Sequence, residues 1–271
     1  MLYNLWQERQ NFIFREKSMY TLLFDCDGVL ADTEPFHLVA FNRLFAEVGL
    51  PVRWSAEEYG RRLQIGGGKE RLTALLTPEF VKQAHLPTKR EDQRQLIAEW
   101  HQRKTDIYIE FVKAGRIPGR PGIARIVHEA LAANWKVAVC STATQESVRT
   151  ILEHVVGIEQ AAHFTILAGD IVTHKKPAPD IYQLALQRLQ ARHSETMVIE
   201  DSRNGLLAAV GAGLRCIVTL STYTQHEDMR EATIVLSHLG DPATPMTVIA
   251  NRGQAKPGCY ITLDNLVASL L

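Results

Sequence analysis

Met19-Tyr20-Thr21-Leu22-Leu23-Phe24-Asp25-Cys26-Asp27-Gly28 is the stretch that decides the fold of this 271-residue chain. Residues 19–24 are apolar almost without interruption, which predicts a strand buried on both faces, as in a parallel sheet, rather than the alternation of a half-exposed strand. The run stops at two carboxylates and a glycine. A helix is predicted from about Pro35, with Phe36, Val39, Ala40, Leu44 and Val48 on one face and Gly49 as its stop.

Upstream, residues 1–18 do not read as a secretory signal. Gln7, Glu8, Arg9 and Gln10 interrupt the apolar stretch and no small-residue cleavage site follows. An amphipathic lead-in, or translation from an upstream start codon, is the expectation for them. Downstream, residues 53–116 lack convincing strands and predict helices at about 56–63, 69–76 and 91–113. Leu96, Trp100, Ile107 and Phe111 recur at helical spacing in the last of these, a stripe that reads as packing core. Ile117-Pro118-Gly119-Arg120-Pro121-Gly122 is the expected return hinge.

Strands and helices then alternate. Helices are predicted at 123–133, 145–155, 180–189 and 204–210. Strands are predicted at 135–140, 164–167, 197–200 and 216–220. Repeated β-α-β units with short connections predict an α/β fold, a doubly wound parallel sheet with an inserted all-helical domain. The expected division is an extension over 1–18, a core domain over 19–33 and 117–271, and a helical domain over 34–116. After Leu220, residues 233–236 suggest a last short strand, 240–245 a loop and 263–271 a closing helix.

Composition narrows the function classes. Thirty basic and thirty acidic side chains cancel, which argues against bulk nucleic-acid binding. No apolar run approaches the roughly 20 residues of a membrane span. Cys26, Cys140, Cys216 and Cys259 form no CxxC pair and no zinc spacing, and three of them lie in apolar runs, so buried thiols in a reducing, cytoplasmic compartment are expected.

In open α/β sheets, ligands bind beyond the carboxyl ends of the strands. Asp25 and Asp27, Ser141, Lys176, and Glu200 with Asp201 all fall at such ends or just past them. Each alone has a bland reading: acids end strands, Ser141 is a helix cap, Lys176 a solvated loop lysine. Together they suit phosphoryl transfer. Asp25 is a candidate carboxylate nucleophile, Asp27 a general acid and base two residues on. Lys176 places an ammonium beside nucleophile and phosphate, while Ser141, with the following backbone at Thr142, offers donors to a phosphoryl oxygen. A carboxylate approaching a phosphate dianion needs a divalent cation. Mg²⁺ is expected, held by Asp25, Asp201, the Asp27 carbonyl and Glu200, the last as ligand or as support for the others.

With these residues in place, the sequence resembles the haloacid dehalogenase superfamily of phosphotransferases. The matching segments are LLFDCDGVLADTE (22–34), VAVCST (137–142), KKPAPDIY (175–182) and VIEDSRNGLLAA (198–209). The resemblance implies the same roles for Asp25, Asp27, Ser141 and Lys176, the lysine that directly precedes the proline, and for the pair Glu200 and Asp201. It also implies a Rossmann-like core whose helical insertion is a subclass I cap. A closer resemblance, through Ile65-Gly66-Gly67-Gly68-Lys69-Glu70-Arg71, the helix HLVAFNRLFAEVGL and the hinge, is to the CbbY-type sugar phosphatases, a branch close to β-phosphoglucomutase. That implies a sugar phosphate or bisphosphate as partner, with xylulose 1,5-bisphosphate as the type, and a monomer.

The residues of the insertion fit such a substrate. Gly67 and Gly68 bare their N–H groups at a helix start, and Lys69 and Arg71 add charge for a second phosphate. Glu34, His37 and Tyr59 are candidate contacts for sugar hydroxyls, and Arg120 for a phosphate. Two other functions share these groups. A mutase would return the phosphoryl group to another hydroxyl. A receiver-type signalling domain carries similar residues, but its acidic pair ends the first strand and no helical insertion follows it.

Overall fold

The computed structural model describes residues 20–271, so the lead-in over 1–18 and Met19 lie outside it. Seven strands form one sheet: β1 (Thr21–Phe24), β2 (Lys136–Ser141), β3 (Thr165–Ala168), β4 (Thr196–Glu200), β5 (Arg215–Thr219), β6 (Ile234–Leu236) and β7 (Val248–Asn251). Their order is β3-β2-β1-β4-β5-β6-β7. Every pairing is parallel except β6 with β7. The chain builds outward from β1 to β2 and β3, then returns to lay β4 on the other flank of β1. The ends of β1, β2 and β4 therefore meet at the point where the winding reverses, the place where such sheets bind ligands.

All four residues of β1 are buried. Their side chains alternate between two cores: Leu22 and Phe24 join one cluster, Leu23 the other. The first cluster takes in α6 (Ile123–Ala132), α7 (Gln145–Val156) and, near the end of the chain, α11 (Leu263–Ala268). The second takes in α9 (Asp180–Leu189) and α10 (Arg203–Gly211). A short α8 (Ile158–Ala161) continues α7.

Between β1 and β2 stand five helices: α1 (Glu34–Glu47), α2 (Ala56–Arg62), α3 (Gly68–Thr73), α4 (Pro78–Gln83) and α5 (Arg90–Lys113). Ser55 and Glu58 close a reciprocal cap on α2. Trp54 packs among Phe41, Phe45 and Tyr59, its ring 4.9 Å from Phe41 and 4.8 Å from Phe45. No helix among the described residues is long and apolar enough to cross a membrane.

Several expectations need correcting. The buried face of α1 is His37, Ala40, Phe41, Leu44 and Phe45, while Val39 and Val48 lie exposed. A histidine in the stripe displaced the expected face by a fraction of a turn. The stripe of α5 likewise includes Lys104 between Trp100 and Ile107. Helix α4 was not predicted; it is short and set by Thr77, whose side chain caps it, and Pro78 in its first turn. Strand β7 was missed because its side chains are mostly exposed and carry no alternation. The closing helix stops at Ala268, short of the expected end.

Candidate active site

The parallel ladder sets the floor of the site. The Asp25 N–H donates to the Ile199 carbonyl (2.9 Å), extending the β1–β4 pairing one step and carrying the carboxylate past the strand end. Ser141 and Glu200 are the last residues of β2 and β4, and Asp201 follows Glu200. Lys176 arrives on the loop before α9. Its ammonium donates to Asp25 Oδ1 (2.6 Å), Glu200 Oε1 (2.6 Å) and the Cys140 carbonyl (2.8 Å), which uses all three of its protons.

Glu200 is held from every side. Tyr182 donates to its Oε1 (2.5 Å) and the Asp201 N–H to its Oε2 (3.3 Å). The start of α10 presses so close that a Cβ on Gly205 would lie 2.0 Å from the Glu200 carboxyl group. Asp201 in turn accepts from the Ser221 hydroxyl (2.6 Å).

Asp25, Glu200 and Asp201 each bring a carboxylate oxygen within 4.8 Å of the others, all three buried. Burial pushes the Asp25 carboxyl up to about 8; Lys176 opposes this, and the charges of Glu200 and Asp27 add to it. Burial, reinforced by Asp25 and Glu200, pushes Asp201 well above the ordinary carboxylate range. Three acids and one lysine leave a deficit of positive charge in a place with little water. Oxygen donors in that state fit a hard divalent cation. Asp25 and Asp201 face the pocket; Glu200 lies behind them, so its part is to orient Lys176 and the Asp201 backbone. The Asp27 carboxylate stands outside this trio.

Asp27 has its own support. Its Oδ1 accepts from the Thr33 hydroxyl (2.6 Å) and meets His37 Nε2 (3.0 Å). Lys104 Nζ lies 2.8 Å from His37 Nδ1. An ammonium can only donate, so Nδ1 accepts and the proton on Nε2 points at Asp27. Tyr108 stacks on the His37 ring at 4.0 Å. Burial works to raise Asp27, but His37 and the Thr33 hydroxyl outweigh it and hold the carboxyl below its usual range. Burial also brings Lys104 down to about 8, against the pull of Asp27 and Glu34.

A cavity of about 970 Å³, its open mouth included, lies between the strand ends and the helical insertion. Of the residues singled out from the sequence, Asp25, Asp27, Ser141, Thr142, Lys176 and Asp201 line it from the sheet side. Glu34, His37, Gly67, Gly68 and Arg71 line it from the helices. Ser141 Oγ accepts from the Ala143 N–H (3.1 Å), leaving its own proton to donate.

Three expected contacts are elsewhere. Tyr59 is fully buried and spends its hydroxyl on Glu34 (2.5 Å), so it orients that carboxylate and does not face the cavity. Lys69 pairs with Asp170 (2.5 Å) on the outer side of α3. Arg120 turns its guanidinium to backbone carbonyls of the core. Conversely, sequence reasoning passed over Lys104, Thr33, Tyr182 and Ser221, and also His101, which lines the cavity. Lys104 left a readable trace, a lysine inside an apolar helical stripe, and Ser221 left none.

Comparison with known proteins places this site in context. Residues 19–213 match the family model of the haloacid dehalogenase-like hydrolases. A CBBY-like protein of Arabidopsis thaliana is 44% identical over 82% of this chain and 69% of its own length. The plasmid-encoded CbbY of Cupriavidus necator is 41% identical over 84% of this chain and 89% of its own. The crystal structure of a mutant CbbY from Rhodobacter sphaeroides, in complex with xylulose-(1,5)bisphosphate, superposes with a TM-score of 0.74 at 38% identity, covering 83% of this chain and 98% of that one.

Proposed function

The chain belongs to the haloacid dehalogenase-like hydrolase family and is a phosphatase, and from that premise we propose that it hydrolyses a small sugar phosphate, most specifically a pentulose bisphosphate such as xylulose 1,5-bisphosphate. The observation that carries the reading is the convergence of Asp25, Lys176 and Asp201 at the winding reversal of the sheet, on the floor of one cavity.

Asp25 attacks the phosphorus and forms an aspartyl-phosphate, and the sugar oxygen leaves with a proton from Asp27. Asp27 then takes a proton from the water that attacks the aspartyl-phosphate, and Asp25 is regenerated with release of phosphate. In the arrangement seen, the Thr33 and His37 donors hold Asp27 ionised, the form that receives the water proton. Both donors meet Oδ1, which leaves Oδ2 to carry the proton delivered to the sugar oxygen. Lys176 offsets the charge of Asp25 and of the incoming phosphoryl group, and Ser141 donates to a phosphoryl oxygen. Asp25 and Asp201 are the residues that would hold Mg²⁺, which would supply neutralisation of the charge that builds up on the phosphoryl group.

The five helices over 34–116 act as the cap that closes on the substrate, with Arg71 and the bare N–H groups at Gly67 and Gly68 facing its distal phosphate. The similarity to a CbbY crystallised with a sugar bisphosphate supports the substrate class. The test is incubation with xylulose 1,5-bisphosphate, with Mg²⁺ or with a chelator, following free phosphate and isomerised sugar phosphate together. Chelator-sensitive phosphate release is expected. Isomerisation without release would overturn the hydrolase in favour of a mutase.

A further inference from the structure

We infer that Arg120 is a positioning residue for the acidic trio, acting through the two backbone segments that enclose Asp201. Its guanidinium donates from Nη1 to the carbonyl of Gly28 (2.5 Å) and, at longer range, to that of Thr219 (3.5 Å). From Nη2 it donates to the carbonyls of Leu220 (2.7 Å) and Ser237 (2.5 Å). One planar fork thus ties the loop after β1 to the ends of β5 and β6.

Two of those carbonyls belong to the walls of Asp201. At Gly28 the backbone adopts a φ of +83° and lies so near that a Cβ there would sit 2.0 Å from Asp201 Oδ2. Leu220 immediately precedes Ser221, whose hydroxyl donates to that same Oδ2 (2.6 Å). Arg120 therefore holds, from behind, both segments that meet one carboxylate oxygen. Its own backbone is fixed as well, since the Arg120 N–H donates to the Leu30 carbonyl (2.9 Å) at the place where the helical insertion rejoins the core.

Arginine suits the task for a geometric reason. A guanidinium carries five N–H groups in one rigid plane, so it can bridge carbonyls of separate segments at fixed spacing. An ammonium on a flexible stem supplies charge without that spacing. Burial costs the guanidinium part of its preference for the charged form, and the nearby charges of Asp201 and Asp32 restore some of it.

The inference rests on reading Asp201 as part of the catalytic centre, and the experiment separates the two. Arg120→Lys, Ser221→Ala and the double variant are compared with the wild-type chain by calorimetric Mg²⁺ titration, by hydrogen exchange of the metal-free proteins and by thermal melting. Partners that orient a metal's ligands typically carry about 10–100-fold in affinity. Arg120→Lys is expected to weaken Mg²⁺ binding on that scale, Ser221→Ala to do likewise, and the double variant to lose little more than either. Exchange should quicken at residues 28–30 and 220–221 and not in β2 or β3. Mg²⁺ affinity equal to wild type would overturn the inference, as would faster exchange spread over the whole sheet with a lowered melting temperature. A wild-type chain that bound no Mg²⁺ would sink the metal reading instead, and the exchange pattern would still judge Arg120.

Discussion

Lys175 and Lys176 are neighbours in the chain, yet they belong to two charge clusters of opposite character. Lys176 lies under the strand ends with Asp25 and Glu200, its bonds to both at 2.6 Å and all three side chains almost wholly out of water. Lys175 lies where the helices meet the core. It reaches Glu70 (2.6 Å) and Asp170 (3.0 Å), and Asp170 also takes Lys69 (2.5 Å). The bond lengths are alike. The surroundings are not: Lys69 is 43% exposed and Asp170 57%. Length alone therefore says little about worth. A buried group that loses its partner keeps the cost of its own burial, whereas an exposed pair is replaced by water and screened by salt.

The largest expected effect comes from breaking the buried cluster. Lys176→Met leaves Asp25 and Glu200 without their cation, which should cost about 3–5 kcal/mol, read by urea unfolding at pH 7, with phosphate release falling to background. The Asp25 carboxyl, already raised by burial and lowered only by Lys176, would then titrate further upward, so part of the lost stability should return as the pH is lowered. A urea midpoint like that of wild type would erase the distinction between the two clusters.

Lys104 gives an intermediate case, buried but joined to Asp27 only through His37. Its ammonium sits at about 8 against an ordinary 10.5. Between those values the unfolded chain binds the proton and the folded chain does not, so the contribution of Lys104 to stability rises with pH across that window. Activity should move the other way, because a neutral Lys104 no longer fixes the His37 tautomer. Phosphate release is expected to decline above pH about 8, and Lys104→Met to remove that limb while lowering kcat on the order of tenfold. An unchanged pH profile in the variant would detach Lys104 from the reaction.

The smallest effect is expected at Asp170, whose bonds to Lys69 and Lys175 hold its carboxyl down to about 2. A depressed acid stabilises above its ordinary value of 3.8 and loses that contribution as the pH falls toward 2. Since the group is more than half exposed, Asp170→Asn should cost about 0.5 kcal/mol or less at pH 7, and high salt should take a similar amount from the wild type. A loss comparable to that of Lys176→Met, read by the same urea unfolding, would show that the outer cluster is as dry as the inner one.

The sheet and the floor of the cavity were legible because each strand is a short apolar run stopped by a polar residue, and that boundary survives folding. β1 ending at Asp25 and β4 ending at Glu200 are local facts of the sequence. What was not legible depends on partners far away in the chain. Tyr59 and Arg120 carry groups that suit a sugar or a phosphate, and nothing near them in sequence reveals that Glu34 and the carbonyls of Gly28, Leu220 and Ser237 reach them first. The missed β7 illustrates the reverse, a strand defined by its neighbour rather than by its own side chains. The buried face of α1 was displaced because hydropathy discounts a histidine whose polar atoms are satisfied inside.

That last strand has a bearing on how copies of the molecule behave when crowded. A sheet margin is a template on which another chain can anneal. Here the margin is only four residues long, and the register shift opposite Val235 and Leu236 breaks the rhythm of its pairing with β6. Val248 and Ile249 lie exposed there, but the ladder beside them is too brief and too uneven to be copied. The fold thus carries its own guard against rim-to-rim stacking.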